Sequence, residues 1–325
     1  VTTAILALFL LVTLVLVLRR RSLLLAESPQ RHHEPFDGTV HRVGEAAVAA
    51  RRVAHPRATV IAMHGYVEDM RYFARLYADP SIQLVAIMSC GYHVPVTDAA
   101  FEEAAWARAP SAPFGTIAYD AEVLVQALEH LPRSKTIRVH GHSRGGAVVL
   151  EASMARPDLF EDVEVVLEAP VLPQAKPFVE ANRVMLWFYP LVIAVWKRDP
   201  FTSQVRPAFG SLEDPRKREL LSGMPHNPKR GSTFVVNVSD LQGWMRRRDM
   251  SAYANVRRGV VLVPSKDRVL DPVSMEASAR HAEPALQVVR VEGSSHFVTL
   301  DRPDAFPSLL GGDEGERATG TATGE

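Results

Sequence analysis

Residues 136–154 read TIRVHGHSRGGAVVLEASM, and the way this stretch divides decides the fold. Thr136 to His140 is a short run suited to a buried strand, and Gly145 to Met154 has the composition of a helix. Between them lies Gly141-His142-Ser143-Arg144-Gly145, a Gly-x-Ser-x-Gly pattern on a strand-to-helix turn, the setting of a nucleophile elbow. The reason is steric. Gly141 and Gly145 let the backbone pass closely, the serine Oγ is presented above the sheet, and the helix N-terminus favours negative charge developing beside it.

The same rhythm extends on both sides. Strands are expected at Val40, 46–53, 58–63, 83–88, 163–167, 260–263 and 286–291, and helices at 69–78, 120–131 and 273–281. In Asp120 to Leu131 the apolar residues Val123, Leu124, Ala127, Leu128 and Leu131 fall on one helical face. Alternating strands and helices predict an α/β fold, a mostly parallel sheet with helices on both faces. The rhythm breaks between about 170 and 257, a proline-rich and basic region with the apolar run Val184 to Trp196. That run is short for a membrane span and is interrupted by Pro190, so an inserted cap over an active site is expected, its apolar run serving as a greasy acyl pocket, a surface resting on a bilayer, or ordinary cap core. The core is therefore expected at 38–169 and 258–310, the cap at 170–257, and a disordered Gly, Thr and acid-rich tail at 311–325.

The amino terminus reads differently. Val1 to Leu18 carries no charge and is followed by Arg19, Arg20 and Arg21. As a helix it would span roughly 27 Å, near the thickness of a bilayer's hydrocarbon core. A cleaved signal peptide would put its basic residues ahead of the apolar core and small residues at the cleavage site, so residues 1–21 are read as an uncleaved transmembrane anchor, with a linker at 22–37. Arginines after the span favour a cytoplasmic catalytic domain.

Composition narrows the classes of function. The 325 residues are 47% hydrophobic, and 37 basic side chains balance 37 acidic ones. No nucleic-acid partner is expected from that balance. The lone Cys90 permits no intrachain disulfide.

A serine hydroxyl is a weak nucleophile near neutral pH and needs an adjacent base, oriented by an acid. With an elbow of this kind the chain order is serine, acid, histidine. Asp267 sits just past the strand Val260-Val-Leu-Val-Pro-Ser-Lys-Asp267; its rival Asp271, followed by Pro272, reads as a helix N-cap. His296, in Gly293-Ser-Ser-His296-Phe, follows the last strand, whereas His281 lies in a helical stretch. The oxyanion hole needs two backbone N–H groups, expected from Arg144 after the nucleophile and from Tyr66 in His64-Gly65-Tyr66. The His64 side chain is read as structural. His140-x-His142 has no third ligand at recognisable spacing, His32-His33 reads as solvated, and neither a dinucleotide fingerprint nor a phosphate loop occurs.

Residues from about 50 to 305 resemble the α/β-hydrolase superfamily through MHGY (63–66), GHSRGG (141–146), PSKDRV (264–269) and GSSHF (293–297). His64-Gly-Tyr-Val-Glu68 followed by Arg71-Tyr72 is similar to a stretch of monoacylglycerol-lipase-like and serine-aminopeptidase-like members. The resemblance implies a serine hydrolase acting on a small acyl ester, with no metal and no organic cofactor. Acyltransferase, peptidase and cofactor-free peroxidase chemistry share the scaffold, and a catalytically silent binding protein is the remaining class.

Overall fold

In the computed structural model, residues 1–309 are described; the tail expected at 311–325 lies outside the described residues. The strands are β1 (Glu34–Pro35), β2 (Gly38–Val43), β3 (Ala46–Arg51), β4 (Ala58–Met63), β5 (Ile82–Met88), β6 (Val96–Thr97), β7 (Ala100–Glu102), β8 (Ile137–His142), β9 (Glu164–Glu168), β10 (Gly259–Pro264) and β11 (Leu286–Val291). Nine of them form one sheet in the order β11-β10-β9-β8-β4-β5-β3-β2-β7, while β1 and β6 pair separately. From β11 to β5 every neighbour is parallel, and β3 pairs antiparallel with both β5 and β2.

The central strands are apolar at consecutive positions because both faces are covered. In β4 and β5, Ile61, Met63, Val85 and Ile87 join the core on one face, while Val60, Ala62, Leu84 and Ala86 join the other. Against the first face pack α2 (Ile117–His130), α3 (Arg144–Ala155) and α8 (Pro272–Ala279). The expected α/β architecture is present. Thr116 caps α2 by accepting from the Tyr119 N–H, and Asp271 caps α8 by accepting from the Ser274 N–H at 2.9 Å.

One expected helix is missing. Residues 69–78 form only a 3-10 turn, Met70–Phe73, whose four side chains are all buried. Its polar side chains are claimed by different partners. Arg71 folds back onto Asp69, Tyr72 donates to Glu168, and Tyr77 reaches His140 just beyond the turn. An amphipathic helix would leave one face in water; tertiary contacts around the whole turn override that pattern.

Between β9 and β10 the chain forms α4 (Arg183–Trp196), α5 (Arg206–Phe209), α6 (Pro215–Gly223) and α7 (Gly231–Arg247). Helix α4 keeps Pro190 inside it. Val184, Met185, Phe188, Val192 and Val195 on α4 are exposed, whereas Pro190 and Ile193 are buried. A last short helix, α9 (Val298–Asp301), follows β11.

The first helix, α1 (Thr2–Leu25), has a mean hydropathy of 2.4 over its most apolar window, none of it buried. It runs without a break through Arg19–Arg21, four residues past the expected end of the span. Its last turns pack on α4 and α7: Arg20 Nε donates to the Trp187 carbonyl at 2.9 Å with its guanidinium over the indole, and Gly231 lies against the Leu23 carbonyl.

Candidate active site

The site forms where β8 hands over to α3. Ser143 has φ 51° and ψ −117°, backbone geometry that a residue with a Cβ holds only when its surroundings enforce it. Enforcement is visible on both sides. The Ser143 N–H donates to the Glu168 carbonyl at 2.9 Å, and the Ser143 carbonyl accepts from Gly146 and Val171. A side chain on Gly141 would meet the Gly145 carbonyl at 2.5 Å, and one on Gly145 would meet the Met63 carbonyl at 2.1 Å. The two glycines expected to permit the elbow are therefore needed for the close passage of backbone past backbone.

Loops after β10 and β11 carry the next two residues. The Ser265 N–H donates to the Val291 carbonyl and the Lys266 N–H to the Ser294 carbonyl, which fastens the loops together. Asp267 Oδ1 accepts from the Val269 and Leu270 N–H groups at 2.7 and 3.0 Å, turning Oδ2 toward His296. His296 Nδ1 lies 2.7 Å from that oxygen. With Nδ1 held by a carboxylate, Nε2 is left as the nitrogen able to accept a proton. Ser143, Asp267 and His296 are all buried. Asp271 serves as a cap and His281 is exposed, so neither rival joins this cluster.

Gly65 brings the loop after β4 over the serine: a Cβ there would lie 2.8 Å from that of Ser143. The Gly65 N–H is consumed by Glu68 Oε2 at 2.8 Å, and no group among the described residues accepts from the next N–H, that of Tyr66. Arg144 is the first residue of α3, where an N–H has no intrahelical acceptor. Neither amide is spent on an acceptor among the described residues. Their side chains do other work. The Tyr66 hydroxyl donates to Tyr189 of α4, and burial pushes its pKa well up. The Arg144 guanidinium is buried and donates to Asp120 at 2.6 Å. His64 Nε2 accepts from the Ser89 N–H, so Nδ1 carries the proton and donates to the Gly65 carbonyl. That is the structural role expected of it.

Three residues under the site carry roles that local sequence did not reveal. His142 Nδ1 is 2.7 Å from Glu68 Oε2, and its Nε2 is 3.0 Å from the His296 carbonyl. Both neighbours are acceptors, so both ring nitrogens must donate and the ring is an imidazolium. Burial would depress its pKa, but the Glu68 and Glu168 carboxylates outweigh that and hold it up at about 9. The cation ties the loop bearing Gly65 and Tyr66 to the loop bearing His296. Glu168, fully buried, accepts from Tyr72, His140 and both the N–H and hydroxyl of Thr299. Burial opposes its ionisation, yet His142, His140 and Tyr72 pull its pKa down to about 2. The His140-x-His142 pair thus has all four ring nitrogens engaged by protein groups.

The family model described as the alpha/beta hydrolase family matches residues 107–307, more than half of the chain. The chain belongs to the alpha/beta hydrolase family. No curated protein sequence matches this hydrolase. Solved structures similar to it include an esterase from Exiguobacterium antarcticum, at 13% identity and TM-score 0.58 over 82% of this chain and 95% of that one. A thermophilic esterase from Thermogutta terrifontis is 17% identical, with TM-score 0.55 over 80% and 89% of the two chains. A bromoperoxidase from Bacillus anthracis is 12% identical, with TM-score 0.52 over 78% and 90%. At such identities the likeness establishes the fold that this alpha/beta hydrolase shares with them.

Proposed function

We propose that this protein is a serine hydrolase of carboxylic esters, held to a membrane by α1, with Ser143, His296 and Asp267 as its triad. The observation that carries the reading is the 2.7 Å contact between His296 and a doubly anchored Asp267, with the His296 carbonyl held at 3.0 Å by His142, the residue next to a serine at positive φ. Ser143 Oγ attacks the acyl carbon as His296 Nε2 takes its proton, and Asp267 holds the imidazolium that forms. The Tyr66 and Arg144 N–H groups receive the charge on the carbonyl oxygen. His296 then returns the proton to the leaving alcohol, and water activated the same way releases the acid from the acyl-enzyme. The test is labelling by an active-site fluorophosphonate. Wild type is expected to label and Ser143→Ala to stay blank; a folded wild type that does not label overturns the assignment.

Anchoring is supported by the length and hydropathy of α1 and by its having no buried residue. Arg19–Arg21 after the span favour a cytoplasmic catalytic body. The helices between β9 and β10 act as a cap, since Tyr189 of α4 and the Phe234 carbonyl of α7 both accept from Tyr66. Because α4 turns Val184, Phe188, Val192 and Val195 outward, its apolar run fits a surface resting on lipid better than the lining of an acyl pocket. Lipid esters are therefore the favoured substrate class. A chain-length panel of acyl esters checks this: activity is expected to rise with chain length, and equal turnover of acetyl esters removes the preference.

A further inference from the structure

The end of α1 and the cap border an open cavity of about 340 Å³ that Ser143 does not line. Arg19 and Arg31 line it from the amino-terminal segment, Lys197 and Arg198 from the end of α4, and His226 from the turn after α6. Among the described residues none of these four cations is within ion-pairing distance of a carboxylate. Glu27, the acidic residue at the rim, is mostly exposed and pairs with Arg230. Lys197 instead spends its ammonium on the Ser28 hydroxyl and the Phe234 ring. His226 is 4% exposed, and neither ring nitrogen finds a partner in hydrogen-bonding geometry, although the Lys197 carbonyl is close by. Burial, then repulsion from Arg31 and Lys197, pushes this ring down to about 4, and burial with Arg31 lowers Lys197 as well.

Four cations that no carboxylate pairs among the described residues, with a buried ring whose nitrogens have no partner in hydrogen-bonding geometry, make a cavity suited to an anion. We propose that it binds the phosphate headgroup of an anionic phospholipid. Phosphate chemistry follows from multiple cationic donors converging on one space. The lipid source follows from position: the cavity borders α1 directly after its uncharged run, and its other wall is α4, whose outward face is apolar. A headgroup entering there would leave its chains beside α1 and the exposed face of α4. This source rests on the membrane reading given above.

The experiment uses the full chain, reconstituted in phosphatidylcholine vesicles with or without phosphatidylglycerol, then extracted and weighed by native mass spectrometry. Wild type is expected to retain phosphatidylglycerol over phosphatidylcholine. Arg31→Gln with Arg198→Gln, both at exposed positions, should lower that retention about five-fold per side chain, with an unchanged melting midpoint. Equal retention of the two lipids, or a preference the double variant leaves intact, overturns the proposal. In a second arm inorganic phosphate is titrated in detergent while the His226 imidazole is followed by NMR. An upward shift of its titration in wild type alone supports the phosphate site. Such a shift without any phosphatidylglycerol preference assigns the cavity to soluble phosphate and overturns the lipid source. A chain that fails to enter either vesicle refutes the anchor instead, and the detergent arm still decides whether the cavity takes phosphate.

Discussion

Single residues set the sharpest expectations. Asp267→Asn keeps the shape of the acid but presents an amide to His296, and esterase turnover is expected to fall by about 10⁴-fold with little change in KM. A loss below ten-fold would remove Asp267 from the proposed triad. His142→Gln tests the buried cation. A histidine raised from 6.5 to about 9 in the folded state stabilises fully below pH 6.5, and that contribution disappears as pH climbs through 9. The amount at stake is on the order of 3 kcal/mol. Denaturant melts at pH 7 and pH 10 should show wild type losing more stability than His142→Gln; parallel losses would mean that the ring is neutral. The strand-to-helix turn at Ser143, with its glycines, was legible in the sequence because it is local: five consecutive residues carry it. His142 with Glu68 was not legible. Their contact spans 74 positions, and it exists only because β8 and the loop after β4 end at the same edge of the sheet.

At the scale of elements, the elbow depends on β4 and α3 passing at backbone contact. Gly145→Ala drives a Cβ into the Met63 carbonyl, and a loss of more than about 4 kcal/mol is expected. Soluble, folded protein at wild-type yield would contradict that. The strands were readable because central strands buried on both faces are continuous apolar runs, a pattern that tolerates errors of a residue or two at the ends. Residues 69–78 misled for the opposite reason. Their spacing suits a helix, but Arg71, Tyr72 and Tyr77 are each drawn to a partner far along the chain, and one 3-10 turn is what remains. Glu168 lay hidden at the end of an apolar strand; a lone acid closing such a run is a signal that it will be buried and satisfied.

For the whole molecule, the apolar helix and the hydrolase body can be separated by experiment. A chain beginning at Arg19 keeps the turns of α1 that pack on α4 and α7, so it is expected to leave the membrane fraction yet retain fluorophosphonate labelling. Labelling lost with the helix would mean that α1 shapes the site itself. In intact cells the body should resist externally added protease, and its digestion there would reverse the orientation.

If α1 spans a bilayer as proposed, its unbroken helix through Arg19–Arg21 and its docking on α4 and α7 make it a stalk between the bilayer and the body of the hydrolase. On a bilayer such a stalk fixes the height and attitude of the site above the lipid, so encounter becomes a search in two dimensions. Turnover would then follow the surface density of substrate rather than its bulk concentration, and diluting an ester with inert lipid at constant total amount would slow the enzyme.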